Sequence, residues 1–390
     1  MKNSEKNNKK VALVLSGGGS RGAYEAGACQ ALAELGIEFD IITGTSVGAI
    51  NAAMITQGEL ELATKLWQEM ETHMVFDVPE GSQPFDYARE IVFNQGAGAS
   101  GLKALMGKYI DESKIRSSKI DMGITAVSLP DFKPHYLFMD DIPEGKVIDY
   151  IMASASAFPA IHSYPIDGTE FIDGGYADAI PVEMAINRGA THIIAINLRG
   201  YGKVNHEAIK AAPNMTWIES PWDLGFQFIF DLDNTRLLLR LGYLDTMKAY
   251  GVLDGGYYTF ARCAFDKTTM KMADACAKVF DMDPCLIYTQ EMFMEKLRAQ
   301  LSANQSDAEE ALKRYKNASF KPRDLASIRA DVDQLRADVK NVISDNILAF
   351  IVAYSLKERG DRSFFQSRTV QKLLPEPILA AKFLVKYGLV

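Results

Sequence analysis

The chain has 390 residues, of which 48% are hydrophobic and 24% charged, and its formal net charge is −8. That length can bury one large core or two ordinary ones, and that composition excludes a disordered, collagen-like or disulfide-scaffold protein. The negative charge sets the whole-chain field against nucleic acid, so no nucleic-acid partner is expected.

Residues 1–10 are polar and lack the apolar run of a signal peptide; they read as an N-terminal tail. The most apolar stretch, residues 347–356, is closed by Lys357, Glu358 and Arg359. It falls short of the roughly 18 residues a membrane span needs and reads as a buried helix. Cys29, Cys263, Cys276 and Cys285 form no C-x-x-C pair and have no His at ligand spacing. Reduced thiols, a cytoplasmic location and no metal or cofactor are expected.

Residues 11–15 are a short apolar run, read as a strand, followed by a glycine turn and a helix-compatible segment at 23–35. Residues 39–43 repeat the pattern, with a second turn and a small-residue helix from Val47. Further strands are expected at 122–127, 135–139 and 192–198, and a helix at 180–188 with Pro181 in its first turn. Apolar strands alternating with helices predict a mainly parallel sheet covered on both faces. Residues 200–213 are polar and irregular, and the text after them is mostly helical. The expected division is therefore 11–200 for an α/β domain and 201–390 for a mostly helical extension. Leu325, Ile328, Val332, Leu335, Val339 and Val342 step along one helix face, which suits packing on the same domain. Residues 377–390, with Lys382 and Lys386 among apolar positions, suit a docking C-terminal helix better than a membrane anchor.

Three glycine motifs stand where chemistry would be placed. Gly17-Gly-Gly-Ser-Arg-Gly22 fits G-x-G-x-x-G between a strand and a helix. A dinucleotide site would need an acid at the end of the next strand, but Asp40 sits at its beginning, which disfavours an oxidoreductase. Gly44-Thr-Ser-Val-Gly48 fits G-x-S-x-G, a turn so tight that side chains two residues either side of the serine would collide. The following helix aims its free amides at the same point, with the Val47 amide as one oxyanion donor. Gly18-Gly-Ser-Arg-Gly22 is also a G-x-S-x-G, so spacing alone leaves Ser20 as a rival nucleophile to Ser46.

A serine needs a base. Of His73, His135, His162, His192 and His206, only His162 lies in a plausible loop; His135 and His192 begin strands, at the edge away from the site if the sheet is parallel. A carboxylate is the other solution. Asp173-Gly174-Gly175 supplies one after a short apolar run, while Asp254-Gly255-Gly256 reads as a turn.

Taken together and in this order, the loop Gly17–Gly22, the elbow Gly44–Gly48 and the Asp173-Gly174-Gly175 triplet resemble the three motifs of the patatin-like phospholipase family. The text at 153–159 and 173–198 resembles it too, so the likeness covers about residues 11–200. The resemblance implies a three-layer α/β/α sandwich with a mainly parallel central sheet. It assigns Ser46 as nucleophile, Asp173 as general base without histidine, and the amides of Gly17, Gly18 and Gly19 as oxyanion hole. Arg21, Gly22, Gly44, Gly48, Gly174 and Gly175 support the motifs. The implied activity is hydrolysis of lipid acyl esters, with transient contact to a membrane or micelle. An acyltransferase or a non-catalytic lipid-binding relative would carry the same motifs. Because a free Asp is a feeble base near pH 7, Asp173 is expected to be desolvated, with a raised pKa. Arg21 is expected to hold either an anionic head group or a structural ion pair.

Overall fold

The computed structural model describes residues 9–78, 96–317, 344–360 and 363–390. The helix face from Leu325 to Val342 lies outside the described residues. Two compact units divide the chain, Met1–Tyr250 and Gly251–Val390.

The first unit is built on an eight-stranded sheet: β1 (Val11–Leu15), β2 (Ile41–Thr45), β3 (Asp121–Ser128), β4 (Lys133–Phe138), β5 (Tyr164–Ile166), β6 (Thr169–Asp173), β7 (His192–Asn197) and β8 (Met215–Glu219). The order is β5-β6-β3-β2-β1-β7-β8, with β4 also paired to β3. The strands β3-β2-β1-β7-β8 are parallel, whereas β4 and β6 run antiparallel to β3, and β5 to β6. Alternation along a strand feeds two cores, one on each face of the sheet. Leu13, Leu15 and Ile42 join the helices α1 (Gly22–Glu34), α2 (Val47–Thr56) and α3 (Leu60–Glu69) on one face. Ala12, Val14, Ile41, Ile193 and Ala195 pack with Val182, Met184 and Ala185 of the helix Val182–Asn187 on the other. This is the three-layer arrangement.

The first unit runs past residue 200, because β8 extends the sheet and the helix Leu232–Ala249 lies on α1. That crossing is close. A Cβ on Gly27 would fall 1.9 Å from the Leu239 carbonyl oxygen, and one on Gly242 would fall 1.9 Å from that of Tyr24. Tyr24 Oη donates to Asp245 at 2.9 Å across the same contact.

The second unit is mostly helical. It holds a three-stranded sheet of β9 (Leu253–Gly255), β10 (Thr259–Ala261) and β11 (Ile287–Tyr288). Asp254-Gly255 is therefore part of a strand rather than a plain turn, and the Asp254 carboxylate accepts the Cys263 amide at 2.8 Å. The apolar stretch at 347–356 lies within the helix Asp345–Arg359, which buries Ile347, Phe350 and Val352. The last helix, Pro375–Lys386, buries Ile378, Phe383 and Leu384 within its unit, and Lys386 reaches Asp266 at 3.4 Å. No helix among the described residues is long and apolar enough to cross a membrane.

Candidate active site

Sheet register brings two distant sequence motifs to one point. On the edge of β3 opposite β4, Thr125 pairs with Thr45 of β2 and the next residue, Ala126, pairs with Asp173 of β6. Strands β2 and β6 thus run toward each other and end at the same place. The side chains of Ser46 and Asp173 come together there, near enough for the serine hydroxyl to favour the ionised carboxylate.

Ser46 sits at φ 57 and ψ −126, a left-handed conformation that an L-residue adopts only when its surroundings impose it. Those surroundings are the glycines on either side. A Cβ on Gly44 would lie 2.3 Å from the Gly48 carbonyl oxygen, and one on Gly48 would lie 2.4 Å from that of Leu15. The turn therefore closes only with glycine at both positions. The Ser46 amide donates to Ser154 Oγ at 2.9 Å, at the end of the helix Val147–Ser154. Two residues on, the Ser156 carbonyl accepts the Asp173 amide at 2.8 Å. One helix end thus holds both members of the pair, and Ser154 is a site residue that the motifs did not single out. Its signal was present in Ala153-Ser-Ala-Ser-Ala-Phe-Pro159.

Asp173 is buried, and its Oδ1 accepts the Gly175 amide at 2.7 Å. Burial in a poorly solvated site raises its pKa to about 6, against the lowering effect of the bonds from Ser46 and Gly175. This is the direction the desolvation argument expects. Gly174 lies against β3, where a Cβ would meet the Thr125 carbonyl oxygen at 2.2 Å. Asp178, also buried, is raised to about 7 by desolvation, but it does not line the cavity described below.

The glycine loop is fixed from the far side. Ser20 is buried, its amide donates to the Gln227 carbonyl at 2.8 Å, and its hydroxyl donates to the Phe226 carbonyl at 3.2 Å. Ser20 is thus held by the chain through both its amide and its hydroxyl. The Arg21 guanidinium donates to the carbonyls of Gly225, Leu198 and Arg199 at 2.7–3.2 Å, which makes it a strut of the loop. Gly22 lies where a Cβ would press on Val47 and Trp67. Gly17 requires a correction. Its amide, expected as an oxyanion donor, donates to the Ala179 carbonyl at 2.8 Å and is already committed. Among the described residues no acceptor serves the amides of Gly18, Gly19 or Val47. Gly19 has φ 56, and a Cβ there would lie 2.0 Å from the Gln227 carbonyl oxygen.

These groups meet on a cavity of about 430 Å³, within the range of small-ligand sites. Gly17, Gly18, Gly19, Ser46, Val47, Asp173 and Gly175 line it, and Ile50, Trp67, Val75, Phe76, Leu102 and Met106 make its apolar wall. Phe228 and Phe230 close it from beyond residue 200. Lys203 is the single cationic residue among the described lining residues. None of the five histidines lines it. His192 opens β7 at the sheet's far edge, as expected. His135 does not, because β4 is antiparallel; it lies across β3 from Asp173, with Nε2 2.9 Å from Ser128 Oγ. Asp40 stays at the start of β2, where its carboxylate accepts the Val11 amide at 2.7 Å.

The chain is similar to several known proteins. Residues 13–186 match the family model of patatin-like phospholipase. The patatin-like phospholipase domain-containing protein 7 of Rattus norvegicus is 31% identical over 195 residues, 48% of this chain and 13% of the rat protein. Lysophospholipase nte1 of Aspergillus terreus is 28% identical over 207 residues, 50% of this chain and 13% of that protein. The chain thus spans a small part of the curated relatives it matches. The crystal structure of VipD from Legionella pneumophila aligns with a TM-score of 0.39 and 13% identity, over 98% of this chain and 92% of that one. By family model, by motif and by sheet, residues 13–186 thus match the patatin-like phospholipase family.

Proposed function

We propose that the first unit is a serine hydrolase of lipid acyl esters, acting on phospholipids or lysophospholipids through a Ser46–Asp173 dyad. The observation that carries this reading is the meeting of a buried carboxyl with a serine on a left-handed turn, both lining one apolar cavity. As Ser46 Oγ attacks the ester carbonyl, Asp173 takes the hydroxyl proton. The carbonyl oxygen becomes an oxyanion and accepts hydrogen bonds from the amides of Gly18, Gly19 and Val47; each such donor contributes about 3–4 kcal/mol. Protonated Asp173 then gives its proton to the departing alcohol oxygen, leaving an acyl ester on Ser46. In the second half Asp173 takes a proton from water as the water oxygen attacks the acyl carbon; the acyl carbon–Oγ bond then breaks, Asp173 returns the proton to Ser46 Oγ and the fatty acid leaves. A base of pKa about 6 is mostly ionised at neutral pH yet basic enough to share the proton in flight.

The apolar wall favours an acyl chain, and Lys203 offers a cation to a phosphate near the ester. The names of the relatives, phospholipase and lysophospholipase, fit that substrate class. The test is release of free fatty acid from phosphatidylcholine and lysophosphatidylcholine by the full chain and by Ser46→Ala. Release that depends on Ser46 is expected. A new ester formed with an added alcohol in place of free acid would assign a transferase. A folded chain that binds either lipid and releases nothing would leave a lipid-binding protein.

A further inference from the structure

Large apolar side chains are seldom left in water without a reason when they gather in one place. In the first unit the exposed aromatic residues include Phe132 (60% exposed), Phe158 (43%), Tyr176 (39%), Tyr201 (72%) and Phe226 (51%). They come from five separate loops and share one location. Phe158, Tyr176 and Tyr201 line the cavity itself. Phe132 packs its ring 6.4 Å from that of Tyr176, whose hydroxyl donates to the Phe158 carbonyl. Phe226 meets Phe228 of the cavity wall edge-to-face at 5.7 Å. Phe132 adds an independent sign. It sits in the turn between β3 and β4 at φ 52, a backbone position suited to glycine or asparagine. A bulky residue that is both strained and solvent-facing does nothing for the fold, and such outliers gather at functional sites.

We propose that Phe132, Phe158, Tyr176, Tyr201 and Phe226 form a rim that docks the cavity mouth on a zwitterionic lipid–water interface. The choice of lipid as occupant rests on the acyl-ester reading above. The rim continues into the apolar cavity, so an acyl chain passing from bilayer to Ser46 stays out of water along the way. Aromatic rings are favourable at the headgroup level, where one end is apolar and the other wet. A net charge of −8 and one lining lysine argue for contact through rings rather than through attraction to anionic lipid.

The test compares the full chain with the double variant Phe132→Ser, Phe226→Ser, neither of which lines the cavity. Two quantities are read: partition onto phosphatidylcholine vesicles by sedimentation, and turnover of the water-soluble ester p-nitrophenyl butyrate. The double variant is expected to lower partition about ten-fold or more, with little dependence on salt, while turnover of the soluble ester stays unchanged. Tryptophan at both positions should restore partition. Phe132→Gly relieves the left-handed backbone, so it should lower partition without lowering Tm, which separates docking from unfolding. Equal partition of variant and parent would overturn the proposal. So would a parent chain that ignores vesicles but forms a dimer that the double variant breaks, which would assign the rim to a second copy. A chain that partitions through the rim yet hydrolyses neither lipid nor soluble ester would support docking and overturn the hydrolase reading instead.

Discussion

The glycine loop and the elbow carry the same pattern, G-x-S-x-G between a strand and a helix, and the structure gives their serines opposite situations. Ser20 has its amide and hydroxyl both engaged by the Phe226-Gln227 backbone. Ser46 has a left-handed backbone, the Asp173 carboxyl beside it and a cavity in front of it. What separates them is register rather than local sequence: β6, which carries Asp173, ends against β2, whereas β1 is flanked by β2 and β7. A nucleophile motif is thus half a site, and the strand that delivers the base decides which half is completed.

Replacing the two serines in turn tests that contrast most severely. Ser46→Ala should lower kcat/KM for lipid ester hydrolysis by on the order of 10⁴–10⁶, the loss seen when a catalytic serine is removed. Ser20→Ala should change it less than about five-fold, since that hydroxyl makes one neutral hydrogen bond to a carbonyl. Comparable losses in the two variants would erase the distinction.

The base comes next. Asp173→Asn should lower kcat about 10³–10⁴-fold with KM little changed. In the parent chain kcat/KM should fall about ten-fold per pH unit below 6, where Asp173 gains its proton, and level off above. Asp178→Asn should leave that limb in place, although Asp178 also titrates near 7. Stability runs the other way. Burial raises the Asp173 pKa from 3.8 to about 6, so the folded state holds the proton more tightly than the unfolded chain. The penalty for the ionised carboxylate is fully present above about pH 6 and gone below the unfolded value. Asp173→Asn should therefore raise unfolding free energy by about 3 kcal/mol at pH 8, and by nothing measurable near pH 3. A loss of stability at pH 8 would show that the carboxylate is not desolvated.

Two smaller changes sharpen the account. Ser154→Ala removes the acceptor of the Ser46 amide; it should destabilise by about 1 kcal/mol and lower kcat about ten-fold, with the pH limb unmoved. Ser46→Gly relieves the left-handed backbone and should stabilise the chain by about 1–2 kcal/mol while removing activity, as thermal unfolding would show.

Much of the site was legible because its parts are short and local. The apolar run Val11–Leu15, the helix beginning at Val47 and the two glycines flanking Ser46 each follow from sterics within a few residues. The parts that were not legible depend on contacts far along the chain. The end-to-end meeting of β2 and β6 needs the antiparallel return of β6, which alternating strands and helices do not announce. The Gly17 amide is taken by Ala179, and the wall at Gln227, Phe228 and Phe230 comes from beyond the composition change at residue 200. The helix Leu232–Ala249 belongs to the first unit because Gly27 and Gly242 let two backbones touch, a pairing visible only in three dimensions.

The most direct measurement is labelling of the purified chain with a fluorophosphonate, with the modified residue mapped by mass spectrometry. The account predicts one label, on Ser46, lost in Ser46→Ala, weakened in Asp173→Asn and retained in Ser20→Ala. A label on Ser20, or none on a folded chain, would contradict it.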